Sequence, residues 1–326
     1  MSPFEALQLP NGQILTNRIA KAAMEENMAD AHQAPSRELK QLYKAWADGE
    51  PGLLLTGNVM IDRHAMTGPG GVALEDEQHL HSFREWADVA RAKGVHFWVQ
   101  LSHPGRQTMA NLGQQALAPS AVALDLGGFS KMFAKPKAMT EHDIQDVINR
   151  FATSARLAEQ AGFTGVQIHA AHGYLLSQFL SPLSNLRTDR WGGSLENRAR
   201  LLLEVTDAAI EVWGAGRVGV HLAPRADSHD MGDDNLAETF TYVASELGKR
   251  GIAFICSREK EAGDSLGPQL KKAFGGAYIA NERFTKDSAN AWLASGKADA
   301  VAFGVPFIAN PDLPARLKAD APLNEA

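Results

Sequence analysis

The chain has almost no cysteine, no surplus of positive charge and no long apolar segment. Its 326 residues include one cysteine, Cys256, which excludes an internal disulfide and suits a reducing compartment. Lys and Arg number 32 against 38 Asp and Glu, and the net charge of −6 argues against a nucleic-acid-binding surface. No apolar run approaches the length of a membrane span, and the first residues lack the basic and apolar regions of a secretory signal. We therefore expect a soluble cytoplasmic protein that binds neither nucleic acid nor membrane.

The sequence does contain eight short apolar runs separated by segments of helical periodicity. Such runs are expected of strands that are covered on both faces. The runs are 19–23, 52–56, 96–100, 165–169, 218–222, 252–256, 277–280 and 300–303. Strands that alternate with helices, with no low-complexity linker, predict an α/β fold: a (β/α)8 TIM barrel formed as a single domain by residues 1–326. Cys256 lies in the sixth run, where a buried strand position is expected.

Three of the segments between the runs carry clear signals of helix ends. Thr140 and Asp143 form a capping pair before apolar residues at helical spacing, which are Ile144, Val147, Ile148, Phe151, Ala155 and Ala158. A second helix follows Ser194 and Asn197, with its apolar face at Leu201, Leu202, Val205, Ala208, Ala209 and Val212. The last helix is predicted to begin at Asn310, with a proline in its first turn.

The connection after the third run, residues 103–139, is much longer than the others and rich in Gly, Pro and Ser. Active sites of barrels lie where the strands end, and long loops there often cover the pocket. The sequence therefore predicts a lid or a pocket wall over residues 103–139.

The fourth run ends in two histidines and a tyrosine, His169, His172 and Tyr174. Three polar aromatic groups within six positions at the end of a buried strand suit the holding of an oxygen and the transfer of a proton. A single histidine in such a place is more often a hydrogen-bonded core or loop residue. A metal site on His169 and His172 is the other alternative, although the segment has no His-Glu-x-x-His pattern and no nearby Cys or carboxylate.

Further candidate site residues follow the other runs, and in a barrel they would face the same mouth. They include Met24 and Glu25, Gly57 and Asn58, Gln100, His103 and Arg106, His221 and Arg225, Asn281, Glu282 and Arg283, and Gly304. The amide of Gln100 offers a donor and an acceptor to the edge of a ring. Gly304 could bind phosphate through its backbone N–H, although the residues alone make this signal weak.

The chain resembles the Old Yellow Enzyme family of FMN-dependent ene-reductases from about Phe4 to Leu317. The resemblance is strongest from His169 to Pro182 and from Gly192 to Arg198. Further matching motifs are Asn17-Arg-Ile19, Gln100-Leu101, Arg187-Thr-Asp189, Ala302-Phe-Gly304 and Ile308-Ala-Asn-Pro-Asp-Leu313.

This resemblance implies a barrel with FMN in its mouth and a ping-pong reaction. NADH or NADPH would reduce the flavin, and a small activated alkene such as an enone would then accept the hydride at its β-carbon. His169 and His172 would hold the carbonyl oxygen, and Tyr174 would protonate the α-carbon. The implied flavin contacts are Ala23, Met24, Glu25, Gly57, Gln100 and His221, with Asn281, Glu282 and Gly304 near the phosphate.

Three positions depart from the family pattern. Glu25 stands where many members have Thr or Cys, and an ionised carboxylate there would oppose negative charge on reduced flavin. His221 and Val305 each replace an arginine, and Arg283 could compensate at the phosphate. These departures leave open an FMN-binding barrel with weak or lost ene-reductase activity, a metal-dependent barrel hydrolase on His169 and His172, and a scaffold without a cofactor.

The departures are unevenly distributed along the chain. The first part resembles one branch of the family and the part after about residue 221 resembles another. This suggests a mosaic with a seam near 218–221, either a divergent natural protein or an engineered fusion of half-barrels. The chain also ends where members of the second branch continue, so we expect either a monomer or a homodimer.

Overall fold

The computed structural model describes residues 1–225, 229–259, 264–281 and 283–326. Its strands are β1 (Leu7–Gln8), β2 (Ile14–Leu15), β3 (Ile19–Lys21), β4 (Leu53–Met60), β5 (Val72–Ala73), β6 (His96–Ser102), β7 (Leu117–Ala118), β8 (Lys137–Ala138), β9 (Gly165–Ala170), β10 (Val218–Leu222), β11 (Phe254–Arg258), β12 (Ala277–Asn281) and β13 (Ala300–Phe303). Its α-helices are α1 (Arg37–Asp48), α2 (Leu80–Arg91), α3 (Glu141–Ala161), α4 (Leu175–Leu180), α5 (Leu195–Trp213), α6 (Leu236–Lys249), α7 (Gly267–Phe274), α8 (Lys286–Ala294), α9 (Val305–Ala309) and α10 (Leu313–Ala319).

Eight of these strands form a closed parallel barrel. The order around the barrel is β3, β4, β6, β9, β10, β11, β12 and β13, and β13 pairs with β3 to close it. Helices lie between successive strands, so the predicted (β/α)8 barrel is confirmed. Within the described residues, no helix is both long and apolar enough to cross a lipid bilayer.

The interior of the barrel is filled by side chains below its mouth. Trp98 and Phe254 lie with their ring centroids 4.9 Å apart. A Cβ atom at Gly165 would lie 2.3 Å from the Trp98 ring, and one at Gly219 would lie 2.6 Å from the Phe254 ring. Glycine is therefore required beside each large ring. Cys256 is buried in the same layer, as expected, and burial raises the pKa of its thiol to about 12.

Two of the predicted helix starts agree with the structure. Thr140 and Asp143 form a reciprocal capping box on α3, and the side chain of Ser194 accepts a hydrogen bond from the backbone of Asn197 at the start of α5. The apolar face predicted for α3 is buried throughout.

The predicted start of the last helix is wrong. The helix α10 begins at Leu313, with Asp312 as its N-cap and Pro314 in its first turn. Asn310 ends the preceding helix α9, because its side-chain amide donates to the carbonyl of Pro306 at 2.9 Å. An Asn can cap either end of a helix. Here tertiary packing makes Asn310 the C-cap of α9 rather than the N-cap of α10.

Some strands differ from their predicted bounds in ways that affect the mouth. The strand β4 continues to Met60 rather than ending at residue 56, and β11 runs from Phe254 to Arg258 instead of covering 252–256. Polar residues such as Asn58 and Arg258 interrupt the apolar pattern, so the hydrophobic runs underestimate how far the strands reach. The segment Val218–Leu222, which contains the suspected seam, is fully buried as β10.

The long connection at residues 103–139 packs against the rest of the barrel through buried polar contacts. The buried guanidinium of Arg106 donates to the backbone carbonyl of Asp230 at 2.6 Å. Arg187 donates to the carbonyls of Pro119 at 3.0 Å and Met139 at 2.6 Å. The connection therefore has fixed attachment points at several places along its length.

Candidate active site

A cavity of about 190 Å³ opens at the mouth of the barrel, where the parallel strands end. Its wall is formed by Ala23, Met24, Glu25, Asn58, Gln100, His169, His172, Tyr174 and His221. The three residues that the sequence predicted as catalytic thus share one cavity with five of the predicted flavin contacts. Asn58 is an additional lining residue.

Hydrogen bonds define the roles of the nitrogens in the two predicted histidines. The backbone N–H of Ala171 donates to Nδ1 of His169 at 3.2 Å, so the ring proton of His169 is on Nε2. This Nε2 lies 3.4 Å from Nδ1 of His172, which therefore accepts and carries its own proton on Nε2. The Nε2 atom of His172 is buried and has no hydrogen-bond partner within the described part of the chain.

A tight turn brings His172 back beside His169. His172 has a left-handed backbone with φ of 57°, and Gly173 follows with φ of 72°. The side chain of Gln107 donates to the carbonyl of His172 at 2.7 Å and holds this turn in place. The two imidazole rings are 5.2 Å apart and nearly perpendicular.

The neighbouring strand β10 adds a third imidazole, His221, directly opposite His169 in the strand register. Its ring centroid lies 5.4 Å from that of His169 and 5.1 Å from that of His172. Nδ1 of His221 is 3.2 Å from the amide nitrogen of Gln100, which also donates to Oε1 of Gln167 at 2.7 Å. The ring proton of His221 is therefore on Nε2, which is buried and without a partner among the described residues.

All three imidazoles are neutral near pH 7. Burial lowers the pKa of His169 and His172 far below the usual value, and it lowers the pKa of His221 to about 3. The cavity is therefore lined by uncharged N–H donors. Buried donors without partners are costly, so the two free Nε2–H groups favour an incoming oxygen acceptor.

The same three rings could in principle hold a metal, because one nitrogen from each lies within 4.8 Å of the others. Two features oppose this reading. The Nδ1 lone pair of His169 already accepts the N–H of Ala171, and its Nε2 carries a proton. In addition, the positive charge of Arg258 lowers the pKa of both His172 and His221, and it would repel a cation in the same way.

Tyr174 stands at the N-cap position of α4, with its ring 4.9 Å from that of His169. Burial and then the charge of Glu25 raise the pKa of the Tyr174 phenol well above its usual value. The phenol therefore keeps its proton at neutral pH. The Nδ2 amide of Asn58 donates to the phenolic oxygen at 3.3 Å.

Glu25 lies on the open side of the cavity and is held by two neighbours. The hydroxyl of Thr67 donates to Oε1 of Glu25, and the amide of Asn58 donates to Oε2 at 3.5 Å. Partial desolvation of this carboxyl by the surrounding residues, followed by repulsion from Glu26, raises the pKa of Glu25 although its side chain stays open to solvent. Gly57 lies behind this segment, where a Cβ atom would be 2.0 Å from the carbonyl of Met24.

Of the residues predicted near the flavin phosphate, Asn281, Arg283 and Gly304 do not line this cavity. Asn281 ends β12, and Gly304 follows the adjacent strand β13, where a Cβ atom would be 3.4 Å from the sulfur of Met24. Arg283 is exposed and has a left-handed backbone with φ of 51°. Glu282 lies outside the described residues.

Two polar residues at the mouth are not among the predicted catalytic and flavin-binding residues, although the sequence analysis placed Asn58 at a strand end that faces the mouth. In β4 a bulge between Leu55 and Asn58 shifts the alternation of side chains and turns Asn58 into the cavity. Arg258 ends β11 and pairs with Asn281, and the alternation places it on the same inward face as Phe254 and Cys256. The sixth run was predicted to stop at residue 256, so no sequence signal marked Arg258.

Other strand-end residues are turned away from the cavity. His103 is buried beside its own loop, where it accepts a hydrogen bond from the backbone N–H of Gly105 at 3.0 Å. Arg225 pairs with Glu259 at 3.2 Å and with Asp264, and it does not line the cavity. A position at a strand end was therefore not sufficient to place a side chain in the site.

The lining of the cavity fits a flat aromatic ring system that carries carbonyl oxygens. Ala23 and Met24 offer apolar contact, and the free N–H group of His221 offers a hydrogen bond to a ring oxygen. The amide nitrogen of Gln100 already donates to Gln167 and His221, so Gln100 offers a bound ring only its carbonyl oxygen as an acceptor. These groups suit the isoalloxazine ring of FMN.

Comparison with known proteins agrees with this assignment. Residues 3–324 match the sequence profile of the NADH:flavin oxidoreductase / NADH oxidase family. A probable flavin mononucleotide-dependent alkene reductase from Leishmania infantum is 34% identical over 335 residues, which cover 97% of this chain and 90% of that protein.

Solved structures give the same result. The Old Yellow Enzyme homologue from Zymomonas mobilis superimposes with a TM-score of 0.94 at 31% identity, over 100% of this chain and 94% of that one. Morphinone reductase in complex with tetrahydroNAD superimposes with a TM-score of 0.92 at 33% identity, over 100% of this chain and 92% of that one. The chain therefore belongs to the NADH:flavin oxidoreductase / NADH oxidase family, which includes the Old Yellow Enzymes, and it is an FMN-dependent oxidoreductase that takes hydride from NADH or NADPH.

Proposed function

We propose that this protein reduces the C=C bond of a small activated alkene, such as an enone. The observation that carries this proposal is the pairing of unpartnered imidazole N–H groups with a protonated phenol in one cavity. Bound FMN would supply the hydride, after reduction by NADH or NADPH. The names of the relatives, which include an alkene reductase and 12-oxophytodienoate reductases, support the same substrate class.

The histidines would activate the substrate through its oxygen. A carbonyl oxygen beside His169 and His172 would accept their Nε2–H groups, and in doing so it would replace the 3.4 Å contact between the two rings. Negative charge develops on this oxygen as hydride adds to the β-carbon, so donors fixed at that point stabilise the transition state more than the ground state. Neutral rings serve as donors here without any change in protonation.

Tyr174 would complete the reaction as the proton donor. Its raised pKa keeps the proton in place until the α-carbon becomes basic, and a protonated donor is what general acid catalysis requires. The phenol ring lies 4.9 Å from the ring of His169, so a carbonyl group held by His169 would lie beside the phenol. The hydrogen that Tyr174 gives and the hydride together complete the reduction of the double bond.

The flavin contacts are part of the same proposal. Ala23, Met24, Glu25, Gln100 and His221 would hold the ring in the cavity, with Gly57 leaving room for the segment that carries Met24. Asn281, Glu282, Arg283 and Gly304 would lie near the phosphate. The connection at residues 103–139 would form one wall of the substrate pocket, since its Gln107 holds the turn of His172.

The proposal is tested on the purified protein by separate half-reactions. We expect a yellow protein that is reduced by NADH or NADPH and reoxidised by cyclohexenone. Replacement Tyr174→Phe should leave flavin reduction unchanged and slow reoxidation by about 100-fold, the usual scale for loss of a general acid. A protein that binds FMN but is not reoxidised by enones would contradict the proposed substrate class and favour a barrel with lost ene-reductase activity. Equal loss in both half-reactions would contradict the role of Tyr174.

A further inference from the structure

The amide of Asn58 contacts the atom of Tyr174 that would exchange a proton. Its Nδ2 lies 3.3 Å from the phenolic oxygen, and an amide N–H can act only as a donor in this contact. The phenolic oxygen therefore accepts on that side, and its own O–H is left to point elsewhere. Asn58 and Tyr174 line the same cavity, so the open direction for this hydrogen is the cavity itself.

The orientation of the Asn58 amide is determined by its second neighbour. The same Nδ2 atom lies 3.5 Å from Oε2 of Glu25, and a carboxylate can only accept. Thr67 holds the other carboxylate oxygen through its hydroxyl. An amide turned the other way would place its oxygen against that carboxylate, so the nitrogen must face both Glu25 and Tyr174.

The groups around this contact make the Asn58 amide important for the ionisation of Tyr174. Burial and the charge of Glu25 both raise the pKa of Tyr174, and the hydrogen bond from Asn58 is the contact that lowers it. The cation Lys21 is fully buried and is engaged with Glu26 at 3.3 Å. A phenolate on Tyr174 would therefore depend on the Asn58 amide for stabilisation.

We propose that Asn58 is a further catalytic residue, whose amide N–H stabilises the phenolate that forms on Tyr174 when its proton moves to the substrate. This inference rests on the proposed function. Hydride adds to the β-carbon, and the electron pair of the C=C bond becomes available at the α-carbon. The O–H bond of Tyr174 then breaks, a C–H bond forms at the α-carbon, and the phenolic oxygen keeps the O–H electron pair. Solvent later returns the proton to Tyr174.

The replacement Asn58→Leu tests this role because it keeps the approximate size of the side chain and removes its donor. We expect reoxidation of the reduced protein by cyclohexenone to slow by about 10-fold, as for loss of a hydrogen bond to a charged group, while reduction by NADH or NADPH keeps its rate. Asn58→Asp, which has the same shape without the N–H, should be at least as slow. Asn149→Leu, the same change on an exposed part of α3, is the matched control and should keep both rates.

A double-mutant cycle with Tyr174→Phe separates catalysis from structure. If Asn58 acts through the phenolate, Asn58→Leu will not slow reoxidation further when Tyr174 is already replaced. An equal slowing in both backgrounds would overturn the inference while leaving the proposed function intact. An unaltered protein that is not reoxidised by any enone would instead overturn the proposed function, and the inference with it.

Discussion

At the scale of single residues, burial sets the chemistry of the cavity. The three histidines are neutral donors because burial removes water from around them, and the charge of Arg258 further lowers the pKa of His172 and His221. Tyr174 keeps its proton for the same reason. An oxygen-binding and proton-donating site at neutral pH requires these protonation states.

The raised pKa of Glu25 predicts a dependence of stability on pH. Partial desolvation raises its pKa on folding, so it contributes stability below its unfolded pKa of about 4.3, and that contribution is lost as the pH rises through the raised value. We expect Glu25→Gln to raise the melting temperature of the apoprotein more at pH 7 than at pH 4. Thermal unfolding across this range measures the difference, with the exposed Glu77→Gln as the control. A difference that is constant with pH would contradict the effect.

Some site residues could be predicted from the sequence because they belong to one short motif. His169, His172 and Tyr174 follow a buried strand within six positions, so their proximity needed no knowledge of the fold. Asn58 and Arg258 could not be predicted in this way. A bulge turns Asn58 inward, and Arg258 is inward only because β11 extends beyond the apolar run.

At the scale of elements, local signals determined the helix ends where no competing partner was near. The capping box of α3 joins Thr140 and Asp143 by two reciprocal hydrogen bonds, at 2.8 Å and 3.2 Å, on an exposed helix end. Asn310 had the same local signal for a helix start, but its side chain is used by α9 and by the backbone of Asn324. A helix cap can thus be predicted where only one helix end is within reach of the side chain of the capping residue.

The capping box of α3 gives a prediction about stability. Replacing Thr140 with Ala removes the acceptor for the backbone N–H of Asp143, and should lower the free energy of unfolding by about 1 kcal/mol. Thr140→Ser keeps the hydroxyl and should recover most of the loss. Urea denaturation measures both variants, and equal losses for Ala and Ser would show that the cap is not responsible.

At the scale of the whole molecule, strands from distant parts of the chain share one packed interior. Gly219 of β10 lies against Phe254 of β11, which in turn contacts Trp98 of β6. The neighbouring residues Val218 and Val220 are fully buried in the outer layer. Packing at this point therefore joins Trp98 to residues that lie 121 and 156 positions further along the chain.

This packing predicts that Gly219→Ala is destabilising. The added methyl group would lie 2.6 Å from the Phe254 ring, and overpacking of this kind costs about 1–3 kcal/mol. A second replacement, Phe254→Leu, should recover part of that loss by removing the ring. Gly128→Ala is the control, since a Cβ atom there meets nothing within 4 Å. Additive losses in the double variant, measured by chemical denaturation, would contradict the proposed contact.

The sequence by itself determined the alternation of strands and helices, and with it the barrel, because apolar periodicity and caps act over short distances. It also determined the His169, His172 and Tyr174 motif for the same reason. Only the tertiary structure decided that His221 is the third imidazole of the cavity, that Asn58 contacts the Tyr174 phenol, and that Arg258 faces the mouth. These relations depend on the register of neighbouring strands and on a bulge, which are fixed when the sheet closes and leave no mark on the local sequence.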